Sequence, residues 1–310
     1  MQEEFPRPEA VHPNARFVEE NIYSSAPVRR MALQEIPRIL ESEETETKHF
    51  YIKRLQMPNS ERMLNIPEYF TSAVLYFLRI RERLERKGEA DVETKMVEFF
   101  SQKDKIADLK LTEGETVQIK IAALFDMLKL ENVVRHYKLL YERHRDWYNT
   151  QIPDCVVDKL YFLSPDSKNE THGYVLKPRI ENDADITYSL LALFDEARLS
   201  RGDTDRLKQA GADLADSLKR TFSPDQLLTL SNEIEKFITI TQRVISDEKI
   251  VIDPAGFQSL NILISTEGHI RMIDTDRVYP AIERGAPSQA ATNVGYELTA
   301  LKYAAEYIKE

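Results

Sequence analysis

The chain reads as an α+β protein whose strands and helices are segregated along the sequence. Three observations predict this. Runs of strand period come in adjacent pairs separated by turn residues, long helical patterns occupy their own blocks, and a last strand pair, "NILISTEGHIRMID" at 261–274, follows the longest helical block. A chain that alternated single strands with helices would instead predict a doubly wound parallel sheet.

Residues 1–40 mix Pro, Arg and scattered apolar residues and read as an irregular arm, and the acidic run "ESEETET" at 41–47 reads as a solvated loop. "HFYIKRL" at 49–55 is a short strand. "IPEYFTSAVLYFLRIRERLERKG" at 66–88 has helical apolar spacing, a cationic last turn and a terminal Gly, which together mark a helix. "KIADLKL" and "TVQIKIA" flank "TEGE", and Val117, Ile119 and Ile121 alternate with Gln118 and Lys120, which predicts a hairpin over 105–122. Helical spacing returns in "LFDMLKLENVVRHYKLLYERHRDWY" at 124–148.

"CVVDKLYFL" (155–163) and "GYVLKPRI" (173–180) are apolar runs around a polar loop and form a further strand pair. From 185 to 247 the pattern is helical, with Ser223 as N-cap ahead of Pro224 and Asp225. "KIVID" at 249–253 is a strand, the 261–274 hairpin follows around Gly268, and "ATNVGYELTALKYAAEYIKE" is a terminal helix.

Composition narrows the functional classes. With 310 residues, 42% hydrophobic and 30% charged, the chain has enough material for one large or two ordinary soluble domains. A formal charge of -10 argues against sequence-independent binding to nucleic acid or to an anionic membrane. The single cysteine, Cys155, excludes an intramolecular disulfide and a Cys-based zinc cluster and fits a reducing, cytoplasmic setting. No run of about 18 apolar residues predicts a membrane span, and "MQEEFPRPEA" is unlike a signal peptide. The nine glycines never spell GxGxxG or GxxxxGK[ST], and neither HExxH nor GxSxG occurs.

The 261–274 hairpin carries the one constellation with chemistry in it. Two antiparallel strands bring their outer ends together, so the Asn261 amide oxygen and the Asp274 carboxylate can converge on a hard cation such as Mg²⁺. The alternative is that both residues make local turn hydrogen bonds.

The ordered pieces "KIVID", "NILI" and "IRMID" resemble the catalytic segment of the protein-kinase-like fold, which includes aminoglycoside and other small-molecule phosphotransferases. The resemblance implies a two-lobed fold with a small β-rich lobe at 92–182, a compact helical lobe at 183–310 and a helical N-terminal extension at 1–91. It implies ATP and Mg²⁺ as ligands, with Asn261 and Asp274 binding the metal and Asp276 nearby. Lys120, in the strand "VQIKIA", would pair with the phosphates and be held by Glu131 of the next helix, unless Lys120 is simply a solvent-side residue. Lys53 and Lys177 are rival placements for the phosphate lysine, Lys177 with Glu196 on its following helix. The family places its catalytic Asp five residues before the Asn, where this chain has Gly256, so Asp253 is the candidate base. The expected activity is transfer of the γ-phosphoryl group to a hydroxyl of a small-molecule or protein acceptor, and the alternative is a pseudokinase serving as a scaffold or regulator.

Overall fold

A computed structural model describes residues 16–17, 50–55, 57, 72–165, 170–181, 184–252, 262–275, 278–283 and 285–310. They form helices and small antiparallel sheets, the α+β class. The chain divides into two units. One takes in Met1–Thr47, Tyr51–Leu139 and Leu160–Leu176, and the other Lys48–Phe50, Leu140–Lys159 and Lys177–Glu310.

The first unit contains helices α1 (Ser72–Arg86), α2 (Val92–Phe100) and α3 (Val117–Met127), and the start of α4 (Leu130–Asn149). A four-stranded sheet, most of whose residues belong to this unit, has the order β1-β3-β4-β2, from Arg16–Phe17, Leu160–Pro165, Thr171–Pro178 and Phe50–Arg54. Strands β3 and β4 are antiparallel, with Leu160 opposite Leu176 and Pro165 opposite Thr171. Phe77 and Phe100 are fully buried and stacked, and Phe125 of α3 meets Phe77 edge-on at 5.3 Å. These aromatic contacts tie α1, α2 and α3 together through apolar side chains.

The hairpin expected over 105–122 does not form. A 3₁₀ turn at Ile106–Leu109 is followed by α3, with the Thr116 side chain accepting from the Ile119 amide as N-cap. The alternation that suggested a strand covers only five residues. Over the longer window the buried positions are Ile121, Leu124 and Leu128, a helical spacing, while Ile119 is 56% exposed. The helix expected over 124–148 is interrupted at Leu128, the C-cap of α3, and resumes as α4.

The second unit is built on α5 (Ala184–Ser200), α6 (Thr204–Thr221), α7 (Pro224–Glu248) and α8 (Gln289–Lys309). Ser223 caps α7 as the sequence predicts, and Gln226 completes a capping box. Helices α6 and α8 approach closely at Gly211, where an added Cβ would lie 2.9 Å from the Ala300 carbonyl oxygen and 2.7 Å from the Tyr303 Cβ. Arg198 of α5 reaches the fully buried Glu297 of α8 at 2.5 Å, and the Ser231 hydroxyl donates to the Ala305 carbonyl at 2.9 Å.

Three two-stranded sheets complete this unit: β5 (Ile250–Ile252) with β8 (Val278–Pro280), β6 (Ile262–Ile264) with β7 (Ile270–Met272), and β9 (Ile282–Glu283) with β10 (Ala286–Pro287). The β6–β7 hairpin is the one read from sequence, with Ile262 opposite Met272 and Gly268 at φ +81° in its turn. It is fastened to α7 through Glu233, whose carboxylate accepts from the Ile270 amide at 3.0 Å and meets His269 Nδ1 at 2.8 Å.

Candidate functional site

The described functional groups gather around Asp274, just past β7, and all come from the second unit. Residues 155–157 run alongside β7 in parallel. Val157 donates to the Met272 carbonyl at 3.1 Å and Met272 to the Cys155 carbonyl at 2.6 Å. Asn149, the last residue of α4, pins this segment by accepting from the Val156 amide at 2.7 Å and donating to the Val156 carbonyl at 3.1 Å. Two neighbouring parallel strands advance together at about 3.3 Å per residue. Lys159 and Thr275, each three residues beyond the Val156–Met272 bridge, therefore arrive side by side, and the Lys159 ammonium donates to the Thr275 hydroxyl at 2.9 Å.

The second lysine comes from the end of β4. Carrying the β3–β4 register one step past Leu160 and Leu176 sets Lys159 opposite Lys177. Like charges directly opposite on a strand pair are destabilising. Here a carboxylate meets both: Asp274 Oδ2 is 3.5 Å from Lys177 Nζ and Oδ1 is 4.0 Å from Lys159 Nζ. Lys177 also donates to the Ile273 carbonyl at 3.4 Å.

Lys159 Nζ lies 5.7 Å from the centroid of the Tyr141 ring, within cation–π range. The Tyr141 hydroxyl accepts from the Lys159 amide at 3.3 Å and donates to Asp158 at 3.4 Å, while Arg145 lies 3.6 Å from the same Asp158. Burial, followed by the nearby Asp158 charge, pushes the Tyr141 phenol well above its ordinary value and keeps it protonated.

Exposure separates the three charged groups. The Lys159 side chain is 0% exposed, whereas Lys177 and Asp274 retain 12% and 13%. Lys177 and Asp274 thus keep some contact with solvent, and Lys159 has none.

Sequence-predicted residues fall into three groups. Lys177 and Asp274 come together. Lys120 lies on α3 rather than on a strand and pairs with Glu115 at 3.6 Å, so the strand placement that gave it a phosphate role does not hold. Glu131 is an exposed residue in the first turn of α4, where the helix dipole favours a carboxylate. Lys53 is exposed on β2, in the first unit, and Glu196 pairs with Arg206 at 3.0 Å. Asp253, Gly256, Asn261 and Asp276 lie outside the described residues. Lys159 and Thr275 are the residues sequence reasoning missed, although pairing 155–163 against 173–180 would have set the two lysines opposite each other.

A divalent cation of the Mg²⁺ type takes one or two carboxylates together with phosphates and water. The partly exposed Asp274 carboxylate suits that role. Among the described residues no group of three or more His, Cys, Asp or Glu forms a closed protein cage. No family model, no curated protein and no solved structure matches this chain.

Proposed function

We propose that the chain is a divergent, two-lobed kinase-like protein that binds ATP with Mg²⁺ in the cytoplasm and transfers the γ-phosphoryl group to a hydroxyl of a small-molecule or protein acceptor. The observation that carries this reading is the Lys177–Asp274 pair at 3.5 Å, in which Asp274 follows a strand and a hairpin in the order expected for the kinase-like catalytic segment and Lys177 comes from the end of β4. Among the described helices none is long and apolar enough to cross a membrane.

Without ligand, Lys177 and Asp274 neutralise each other. A nucleotide with its metal would substitute for both partners, because the ammonium is suited to phosphate oxygens and the carboxylate to the cation. Bound Mg²⁺ would neutralise developing phosphate charge. Lys177 would orient the phosphates, and Asp274, with Asn261 and Asp276 as the other candidate oxygen donors, would hold the metal. Asp253 would be the candidate base for the acceptor hydroxyl's proton.

Gly256, standing where the family has its catalytic Asp, favours a second reading, a pseudokinase that binds nucleotide and serves as a scaffold or regulator. Thermal melting with and without ATP and Mg²⁺ tests the shared part. A ligand present at 100 times its dissociation constant stabilises by about 2.7 kcal/mol, so a clear upward shift is expected, lost in Asp274→Ala and reduced in Lys177→Met. No shift, or an equal shift in both variants, would sink the assignment. Asp253→Asn then separates the two readings, since an enzyme loses turnover and keeps nucleotide affinity, whereas a pseudokinase has no turnover to lose.

A further inference from the structure

Resting on that reading, we infer that Lys159 is a positioning residue for the metal carboxylate, a role separate from that of Lys177. The two lysines face each other in register and both meet Asp274, yet their circumstances differ. Lys159 is fully enclosed, its ammonium donating to Thr275 at 2.9 Å and seated against the Tyr141 ring. It therefore touches no ligand. Thr275, itself only 1% exposed, is the residue immediately after Asp274, so fixing its hydroxyl fixes the chain where the carboxylate emerges. Lys159 also lies on the Oδ1 side of Asp274 while Lys177 lies on the Oδ2 side. When a nucleotide draws Lys177 to its phosphates, Lys159 keeps the carboxylate from swinging away. Lys177 is the exchangeable partner of Asp274 and Lys159 the permanent one.

Outer partners that orient a metal ligand typically change metal affinity by about 10- to 100-fold when removed. The test is titration of Mn²⁺, followed by its paramagnetic resonance, into the full chain with saturating ATP, alongside ATP binding in the absence of metal and the melting temperature of the free protein. Lys159→Met is expected to weaken Mn²⁺ uptake by about tenfold or more with metal-free ATP affinity unchanged. Lys159→Arg, which keeps the charge, should recover most of the loss, and Thr275→Val should reproduce part of it. Wild-type Mn²⁺ affinity in Lys159→Met, or a parallel loss of metal-free ATP binding, would overturn the inference while leaving the functional reading standing. A wild-type chain that takes up no Mn²⁺ with ATP would overturn both.

Discussion

Replacing Glu233 by Ala tests how the hairpin that leads to Asp274 is held. Glu233 is 7% exposed and its two oxygens serve two partners, the buried Ile270 amide at 3.0 Å and His269 Nδ1 at 2.8 Å. Removing the acceptor leaves the Ile270 N–H buried without this partner, a loss of about 1–3 kcal/mol. The His269 contact is one-third exposed and screened, so its loss adds at most about 1 kcal/mol. The sum is about 1–4 kcal/mol, and at about 1.4 kcal/mol per tenfold it should speed hydrogen exchange at Ile270 roughly 5- to 700-fold. Glu233→Gln keeps one acceptor and should lose less. Hydrogen exchange resolved to the 262–272 peptides, with β3–β4 peptides as the internal reference, reads the effect. Unchanged exchange at Ile270 in Glu233→Ala would refute the argument that α7 anchors the hairpin.

Gly211→Ala should destabilise despite the helix propensity gain of about 1 kcal/mol, because the new Cβ would press on the backbone of α8 and overpacking costs about 1–3 kcal/mol; urea denaturation gives the sign. Ser223→Ala removes the capping box of α7 and should cost about 1 kcal/mol by the same measurement. Burial pushes Cys155 above its ordinary value near 9.0 and Tyr141 and Tyr148 above theirs near 10.0. Above those ordinary values the unfolded chain has released protons that the folded chain retains, so stability should fall as pH rises, with each group's slope approaching about 1.4 kcal/mol per pH unit. Denaturation at pH 7.5, 9 and 10.5 checks this, and constant stability across the series would contradict it. The same burial predicts that Cys155 resists thiol reagents at pH 8 until the protein is unfolded.

Elements with a local signal were legible. Gly268 and the alternating runs around it announced the β6–β7 hairpin, and Ser223-Pro224 announced the start of α7. The 117–121 stretch misled because β-branched residues alternated over a window too short to distinguish the two periods; Thr116 as N-cap and the spacing of Ile121, Leu124 and Leu128 carried the helical signal. Asp274 was legible as a strand-end carboxylate. Its enclosed partner Lys159 was not, because it sits in an apolar run that looks like ordinary core. Its meaning emerges only from the parallel pairing of 155–157 with β7 and the register of β3 against β4. The short strands β8 to β10 were missed as well, being two or three residues long with no alternation to detect.

The parallel pairing beside β7 also orders events in time. Lys159 and Thr275 are 116 residues apart, and closing a loop of that length costs about 4 kcal/mol of chain entropy. Contacts of such separation slow folding. During synthesis, the segment carrying Lys159 emerges long before β7 exists to receive it, while α5, α6 and α7 can form in between from local contacts. The Asp274 cluster is thus expected to be among the last parts of the molecule to assemble, and a chain cut short before β7 would lack both the carboxylate and the parallel bridge that brings Lys159 to Thr275.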